Sequence, residues 1–146
     1  MNYLIDTNIF LRYLEASDEK SYEECLVLLR ALKEGKINGV TSHLILSEIY
    51  WTLKTYYKFP KSKRIEVLEN IYNLSGLNFV DGYNLVVALK SHKESKAKFI
   101  DCMLASIPKV LSKEWVIVSY DKDFKKLPII SKEPGEVIKL LVKSSP

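Results

Sequence analysis

Apolar residues are distributed along the chain in two textures: short unbroken runs, and longer stretches in which they recur every third or fourth position. The runs predict buried strands and the stretches predict amphipathic helices. Residues 2–5 read as a strand and 7–15 as a helix with Ile9, Phe10, Tyr13 and Leu14 on its apolar face. A second helix is predicted over 18–33, with Ser17 as N-cap and Gly35 closing it. Val40 and Thr41 form a further short strand, and Ser42 caps a helix running through Leu44, Ile45, Ile49, Trp51 and Leu53 to about Tyr57. Pro60 ends that connection. The next helix spans 61–74 with Ile65, Leu68 and Tyr72 inward, followed by Gly76 and an apolar segment at 77–80. Helices are predicted over 81–92 and 99–111, separated by a basic stretch at 90–98, with Pro108 shortening or kinking the second. Residues 115–119 are the clearest strand, 128–130 a shorter one, and 136–142 a closing helix that begins near Pro134.

Short apolar strands alternating with helices predict an α/β fold, an α/β/α sandwich around a central, mainly parallel sheet of four or five short strands. At 146 residues and 47% hydrophobic content, one domain spanning 1–146 is expected. No apolar run approaches the roughly 20 residues that cross a membrane, and residues 1–6 meet an acid too early for a secretory signal, so a cytoplasmic location without membrane contact is expected. Cys25 and Cys102 lie in apolar helical patterns with no CxxC motif or neighbouring histidine, which predicts buried free thiols rather than a zinc site.

Against this pattern, four acids stand where acids are scarce. Asp6 ends the first apolar run, Glu48 and Asp101 interrupt apolar helical stretches, and Asp121 follows the strongest strand. Taken singly, Asp6 and Asp121 are well explained as helix caps, Glu48 by a salt bridge to Lys54 or Arg64, and Asp123 as a turn residue. Asp101 is harder, because the segment 99–107 (FIDCMLASI) carries no other charge and predicts a helix apolar almost all round. An ionised carboxylate in such a setting is costly unless it is protonated, paired or bound to a cation. One shared divalent ion explains all four acids more economically than four separate accidents. Parallel sheets bind ligands beyond the carboxyl ends of their strands, and Asp6 and Asp121 both fall at that edge. An all-oxygen donor set of this kind favours Mg²⁺ or Mn²⁺ over zinc. Such an ion leaves positions for a phosphate and a water, lowers the pKa of that water and stabilises the leaving oxygen, which is the chemistry of phosphodiester hydrolysis.

Four segments, 1–10 (MNYLIDTNIF), 47–49 (SEI), 99–105 (FIDCMLA) and 116–124 (VIVSYDKDF), make the chain resemble the PIN-domain nucleases from end to end. The resemblance is nearest to the small VapC-type toxins of prokaryotic toxin–antitoxin pairs. It implies Mg²⁺-dependent cleavage of RNA by Asp6, Glu48, Asp101 and Asp121, with Asp123 as an accessory metal ligand and Thr7, Asn8 and Ser119 in support. It also implies a homodimer and a protein antitoxin that fills the groove; a PIN nuclease of RNA processing, outside any toxin pair, is the alternative.

Charge fits a polyanionic substrate. The net charge is +4, and with the four site acids set aside 22 basic residues face 14 acidic ones, a net +8. Arg12, Lys122, Lys125 and Lys126 are candidate phosphate contacts near the acids, with Lys58, Lys61, Lys63, Arg64 and the stretch 90–98 further off; for any single lysine a solvated helix face is the better explanation. Tyr56, Tyr57 and Phe59 can stack on bases, although aromatics at this spacing are more often core. Two other classes remain open: an aspartyl-phosphate phosphotransfer protein, which would want an acid where Asn8 stands, and a non-catalytic interaction module, which would not need all four acids.

Overall fold

The strands predicted from the apolar runs assemble into one sheet. The computed structural model describes residues 1–15 and 17–145. The strands are β1 (Asn2–Ile5), β2 (Asn38–Thr41), β3 (Leu77–Phe79), β4 (Trp115–Val118) and β5 (Ser131–Lys132), in the order β3-β2-β1-β4-β5. Every neighbouring pair is parallel, with Asn2 opposite Asn38 and Trp115, and Ile5 opposite Val118. The helices are α1 (Thr7–Leu14), α2 (Glu19–Lys33), α3 (His43–Thr55), α4 (Lys61–Tyr72), α5 (Leu85–Glu94), α6 (Phe99–Ala105), α7 (Pro108–Leu111) and α8 (Pro134–Ser144), with a 3₁₀ turn at Lys122–Lys126.

From β1 the chain travels outward through β2 and β3, then returns to place β4 on the other side of β1. Right-handed crossovers therefore put the helices before β3 and those between β3 and β4 on opposite faces. Accordingly α1 packs on α2 and α3, α2 on α8 and α3 on α4, whereas α5, α6 and α7 pack in succession and α7 lies on β4. Leu4, Ile5, Ile117 and Val118 are sealed in the sheet, covered by side chains such as Ile9, Leu28, Ile49 and Leu104. No helix among the described residues is long and apolar enough to cross a membrane.

Local chemistry moves several predicted boundaries. Asp18, not Ser17, caps α2, its carboxylate accepting from the Lys20 amide. Helix α5 begins at Leu85 rather than 81, because Asn84 caps it and Asp81 instead accepts from the His43 amide at the start of α3. The last strand forms at 131–132 rather than 128–130; Pro128 has no N–H to donate, and pairing starts with the Ile130 carbonyl accepting from Ile117. In α4 the inward stripe is Val67 and Ile71, while Ile65 and Tyr72 are exposed, a rotation fixed by packing against α3. Pro108 does break the helix predicted over 99–111, separating α6 from α7. Cys25 and Cys102 are buried free thiols, as expected.

Candidate active site

The sheet reverses its direction of construction between β1 and β4, and the crevice at the carboxyl ends of these two strands is where such a sheet binds ligands. Asp6 follows β1 directly and is buried. Its amide donates to the Val118 carbonyl at 3.1 Å, so the end of β1 is stitched to the end of β4. Ser119, the residue just after β4, donates its hydroxyl to Asp6 Oδ2 at 2.7 Å and accepts from the Asp121 amide at 2.9 Å. Asn8 Nδ2 donates to Ser119 Oγ at 2.9 Å, and Asn8 Oδ1 accepts from the Tyr120 amide at 3.2 Å. One hydroxyl and one amide thus tie the start of α1 to the chain segment that carries Asp121.

Asp121 opens the 3₁₀ turn as its N-cap, accepting from the Asp123 amide at 2.9 Å, and this turn brings Asp123 round to the same side. Asp101 arrives from the opposite direction, in the first turn of α6, and is only 3% exposed. Carboxylate oxygens of Asp101, Asp121 and Asp123 lie within 4.8 Å of one another, a spacing that suits a single cation. Asp6 and Glu48 stand outside that group. Asp6 joins it through Ser119; Glu48, half-buried on α3, makes itself felt by its charge on Asp6. The expected partners of Glu48 are engaged elsewhere, Lys54 over the Trp51 ring and Arg64 over Tyr50.

These contacts set the protonation. Burial pushes the Asp6 carboxyl up to about 6, the charges of Glu48 and Asp121 add to the rise, and hydrogen bonds from Ser119 and the Thr7 amide oppose it. Burial again, reinforced by the charges of Asp6 and Asp121, pushes Asp101 up to about 8. Asp121 moves the other way: burial would raise it, but the Lys98 ammonium at 2.7 Å and the Asp123 amide hold it below the ordinary carboxylate range. Its hydrogen bond to Asp121 raises Lys98 in turn.

The donor set fits a hard divalent cation. All the groups are carboxylate oxygens, and two of the three buried side-chain atoms without a partner among the described residues, Asp101 Oδ2 and Thr7 Oγ1, belong to residues of this site. An unpartnered carboxylate oxygen buried among like charges is the position a cation would relieve.

Lys98 is the residue that the sequence did not single out, having merged into the basic run 90–98. It precedes Asp101 by one helical turn, and that spacing was the available signal. As N-cap of α6 it also donates its amide to Asp123 Oδ2 at 3.3 Å. The predicted phosphate contacts divide. Lys122 is exposed beside Asp121; Lys126 pairs with Asp123 at 2.8 Å; Lys125 is engaged with the Ser131 carbonyl at 2.6 Å. Arg12 lies over the Tyr120 ring, 4.4 Å from its centroid, and donates to Ser21 at 3.2 Å, lining a side cleft of about 270 Å³ with Glu24 and Lys20.

Comparison with known proteins places the fold. The PIN domain family matches residues 3–130. VapBC2 from Rickettsia felis, solved bound to a DNA fragment from its promoter, superposes with a TM-score of 0.63 at 16% identity, over 91% of this chain and 98% of that one. VapBC-1 from nontypeable Haemophilus influenzae gives 0.64 at 15% identity, over 92% and 99%. VapC20 from Mycobacterium tuberculosis, a sarcin–ricin loop cleaving toxin, gives 0.58 at 14% identity, over 88% and 96%. At these identities the likeness is one of fold. No curated protein matches the sequence.

Proposed function

The chain belongs to the PIN domain family, and from that premise we propose that it is a divalent-metal-dependent endoribonuclease and the toxin of a toxin–antitoxin pair. The observation that carries the reading is the convergence of Asp101, Asp121 and Asp123, with Asp6 bound to them through Ser119, at the switch point of a parallel sheet. Asp101, Asp121 and Asp123 would hold Mg²⁺ or Mn²⁺, with Asp6 and Glu48 bounding the opposite side. Bound there, the ion would supply Lewis-acid activation of a water and of the scissile phosphate.

The chain's own residues account for the rest. Asp101, with its pKa near 8, holds its proton in the metal-free protein at neutral pH, and would release it in favour of a bound cation. Ser119 and Asn8 hold Asp6 Oδ2 in place, so that the carboxylate does not rotate when the charge around it changes. Lys98, paired with Asp121, is placed to turn its ammonium to a non-bridging phosphate oxygen. Hydrolysis adds water across one P–O bond, leaving one phosphorylated end and one hydroxyl end.

A protein partner is part of the same proposal. A groove of about 770 Å³ runs between α1, α2 and α4, lined by Phe10, Leu14, Leu29, Val67 and Ile71. Two of the structural neighbours are VapBC assemblies, and a protein antitoxin seated in this groove, together with homodimerisation, completes the proposal. Purified protein should cleave RNA with Mg²⁺ or Mn²⁺ and stop with chelator. Asp101→Asn or Asp6→Asn should abolish cleavage while the protein stays folded; full cleavage by Asp101→Asn would sink the mechanism. Expression without its partner should arrest growth, and unimpaired growth alongside cleavage in vitro would favour an RNA-processing nuclease.

A further inference from the structure

The corner between α3 and α4 is chemically unlike the rest of the surface. Residues 49–65 contain Lys54, Lys58, Lys61, Lys63 and Arg64 and no acid. Two aromatics of this corner, which spacing alone assigns to the core, are instead turned outward, Trp51 62% exposed and Tyr56 75% exposed, while Tyr57 and Phe59 pack partly against the core as expected. Cations and rings alternate there, with Lys54 Nζ 5.4 Å from the centre of the Trp51 ring and Lys63 Nζ 4.3 Å from that of Phe59. Tyr56 is braced edge-on by Tyr57, with 5.0 Å between ring centres. Lys58 reverses the chain with φ of 58°, a left-handed conformation uncommon for a residue with a side chain.

Helical geometry connects this corner to the acidic site. Glu48, whose charge reaches Asp6, lies on the same stripe of α3 as Trp51 and Thr55, at i, i+3 and i+7. At 1.5 Å per residue Trp51 is roughly 4.5 Å and Thr55 roughly 10 Å further along the axis, with Tyr56 just past the helix end. A strand leaving the acids along α3 would meet a base-sized aromatic face within one turn, and a second two turns on.

The geometry points to a binding platform for single-stranded RNA, in which bases of the substrate flanking the cleaved bond stack on Trp51 and Tyr56 while its phosphates pair with Lys54 and Lys58. It rests on the reading of RNA as substrate and extends it to an unpaired flank of several nucleotides. Charge complementarity selects this occupant: two copies of the same corner would set five cations against five, whereas a polyanion neutralises them. Flat rings beside ammonium groups accept any base, because every base has a stacking face. The platform therefore confers a preference for unpaired RNA rather than for a base sequence.

The test reads binding apart from cleavage. The chain has two tryptophans, and Trp115→Phe leaves Trp51 as the reporter. In chelator, titration with an oligouridylate of about twelve nucleotides should quench Trp51 saturably, and a blunt RNA duplex of the same length should not. By anisotropy of a dye-labelled oligouridylate, Trp51→Ala and Tyr56→Ala should each weaken binding on the order of tenfold, and Trp51→Phe should restore most of it. Replacing Lys54 and Lys58 by Gln should lower the slope of log affinity against log salt by about 1.4. Should Trp115→Phe fail to fold, the quench is read as the signal that wild type shows and Trp51→Phe lacks. No quench, equal quench by duplex, or Trp51 emission that shifts with protein concentration in the absence of RNA, meaning a second copy covers the face, would each overturn the platform. Cleavage with Mg²⁺ but no quench rejects the platform alone; quench with no cleavage under any divalent ion rejects the nuclease reading and leaves the platform standing.

Discussion

Replacing Asp101 by Asn changes one oxygen to an NH₂ group and removes the charge that the fold tolerates least. In wild type without metal, the folded pKa near 8 lies far above the ordinary value of 3.8. A folded-state pKa that is raised means the folded state holds a proton that the unfolded state has lost. Stability from this group is therefore fully present below about pH 4 and is lost as pH rises towards 8. In that window each pH unit removes about 1.4 kcal/mol, so between about pH 5.5 and 7.5 Asp101 alone accounts for a loss on the order of 3 kcal/mol. For a chain of this size 1 kcal/mol moves Tm by roughly 2–4 °C, which makes the expected fall in Tm about 6–12 °C. The carboxamide of Asp101→Asn cannot titrate, so the variant should keep only the smaller decline due to Asp6, whose window closes near pH 6. The assay is thermal unfolding by circular dichroism, wild type against Asp101→Asn, in chelator and then in saturating Mg²⁺. At pH 7.5 metal should raise the wild-type Tm, by about 2.7 kcal/mol of stability at a hundredfold excess over Kd, and leave the variant nearly unmoved. Parallel Tm curves for the two proteins in chelator, or an equal rise of both with Mg²⁺, would refute the placement of strain and cation at Asp101.

Three further outcomes follow from particular contacts. Ser119→Ala strips Asp6 of its short buried hydrogen bond and leaves the Asp121 amide without its acceptor, and should cost about 1.5–3 kcal/mol in urea unfolding. Lys98→Met removes the ammonium that competes for Asp121, and should tighten Mn²⁺ binding by up to about fivefold in calorimetry. Phe124, fully buried beneath the turn that carries Asp123, should cost about 3–5 kcal/mol as Phe124→Ala, measured by chemical denaturation.

How much of this was legible in the sequence depends on the range over which each feature is decided. Strand β1 and the clear strand at 115 were readable because uninterrupted apolar runs demand burial on both faces wherever the chain goes. The approach of Asp101 and Asp121, with Asp6 joined to them through Ser119, was readable because acids at strand ends and in apolar helices are locally anomalous; Glu48, expected with them, stays outside the group. Lys98 was legible only as a lysine one helical turn before Asp101, since its pairing with Asp121 at 2.7 Å is made across more than twenty residues of chain. The side that Asp123 faces is not legible for a related reason: its direction is set by a 3₁₀ turn, which Asp121 caps, and not by a helical or strand period. The rotation of α4 and the exposure of Trp51 were likewise settled by which neighbour each helix face meets.

The exposed corner and the buried acids belong to one electrostatic arrangement. In the proposed function, three converging carboxylates would repel an approaching phosphodiester, and a bound cation would cancel that repulsion only within a few ångströms. The acids must therefore be confined to a pit and outweighed on the surface around it. This chain does both: Lys98 and Lys126 clamp two of the acids at 2.7 and 2.8 Å, and the uninterrupted positive segment 49–65 lies one helical stripe from Glu48. It follows that neutralising the corner should weaken capture of long RNA and leave the turnover of a short substrate at saturation unchanged. Losing Lys98 should instead change the acid site itself. If KM for long RNA were unmoved when Lys54 and Lys58 are replaced by Gln, the positive segment would be a solubility feature and the attraction would have to come from elsewhere on the surface.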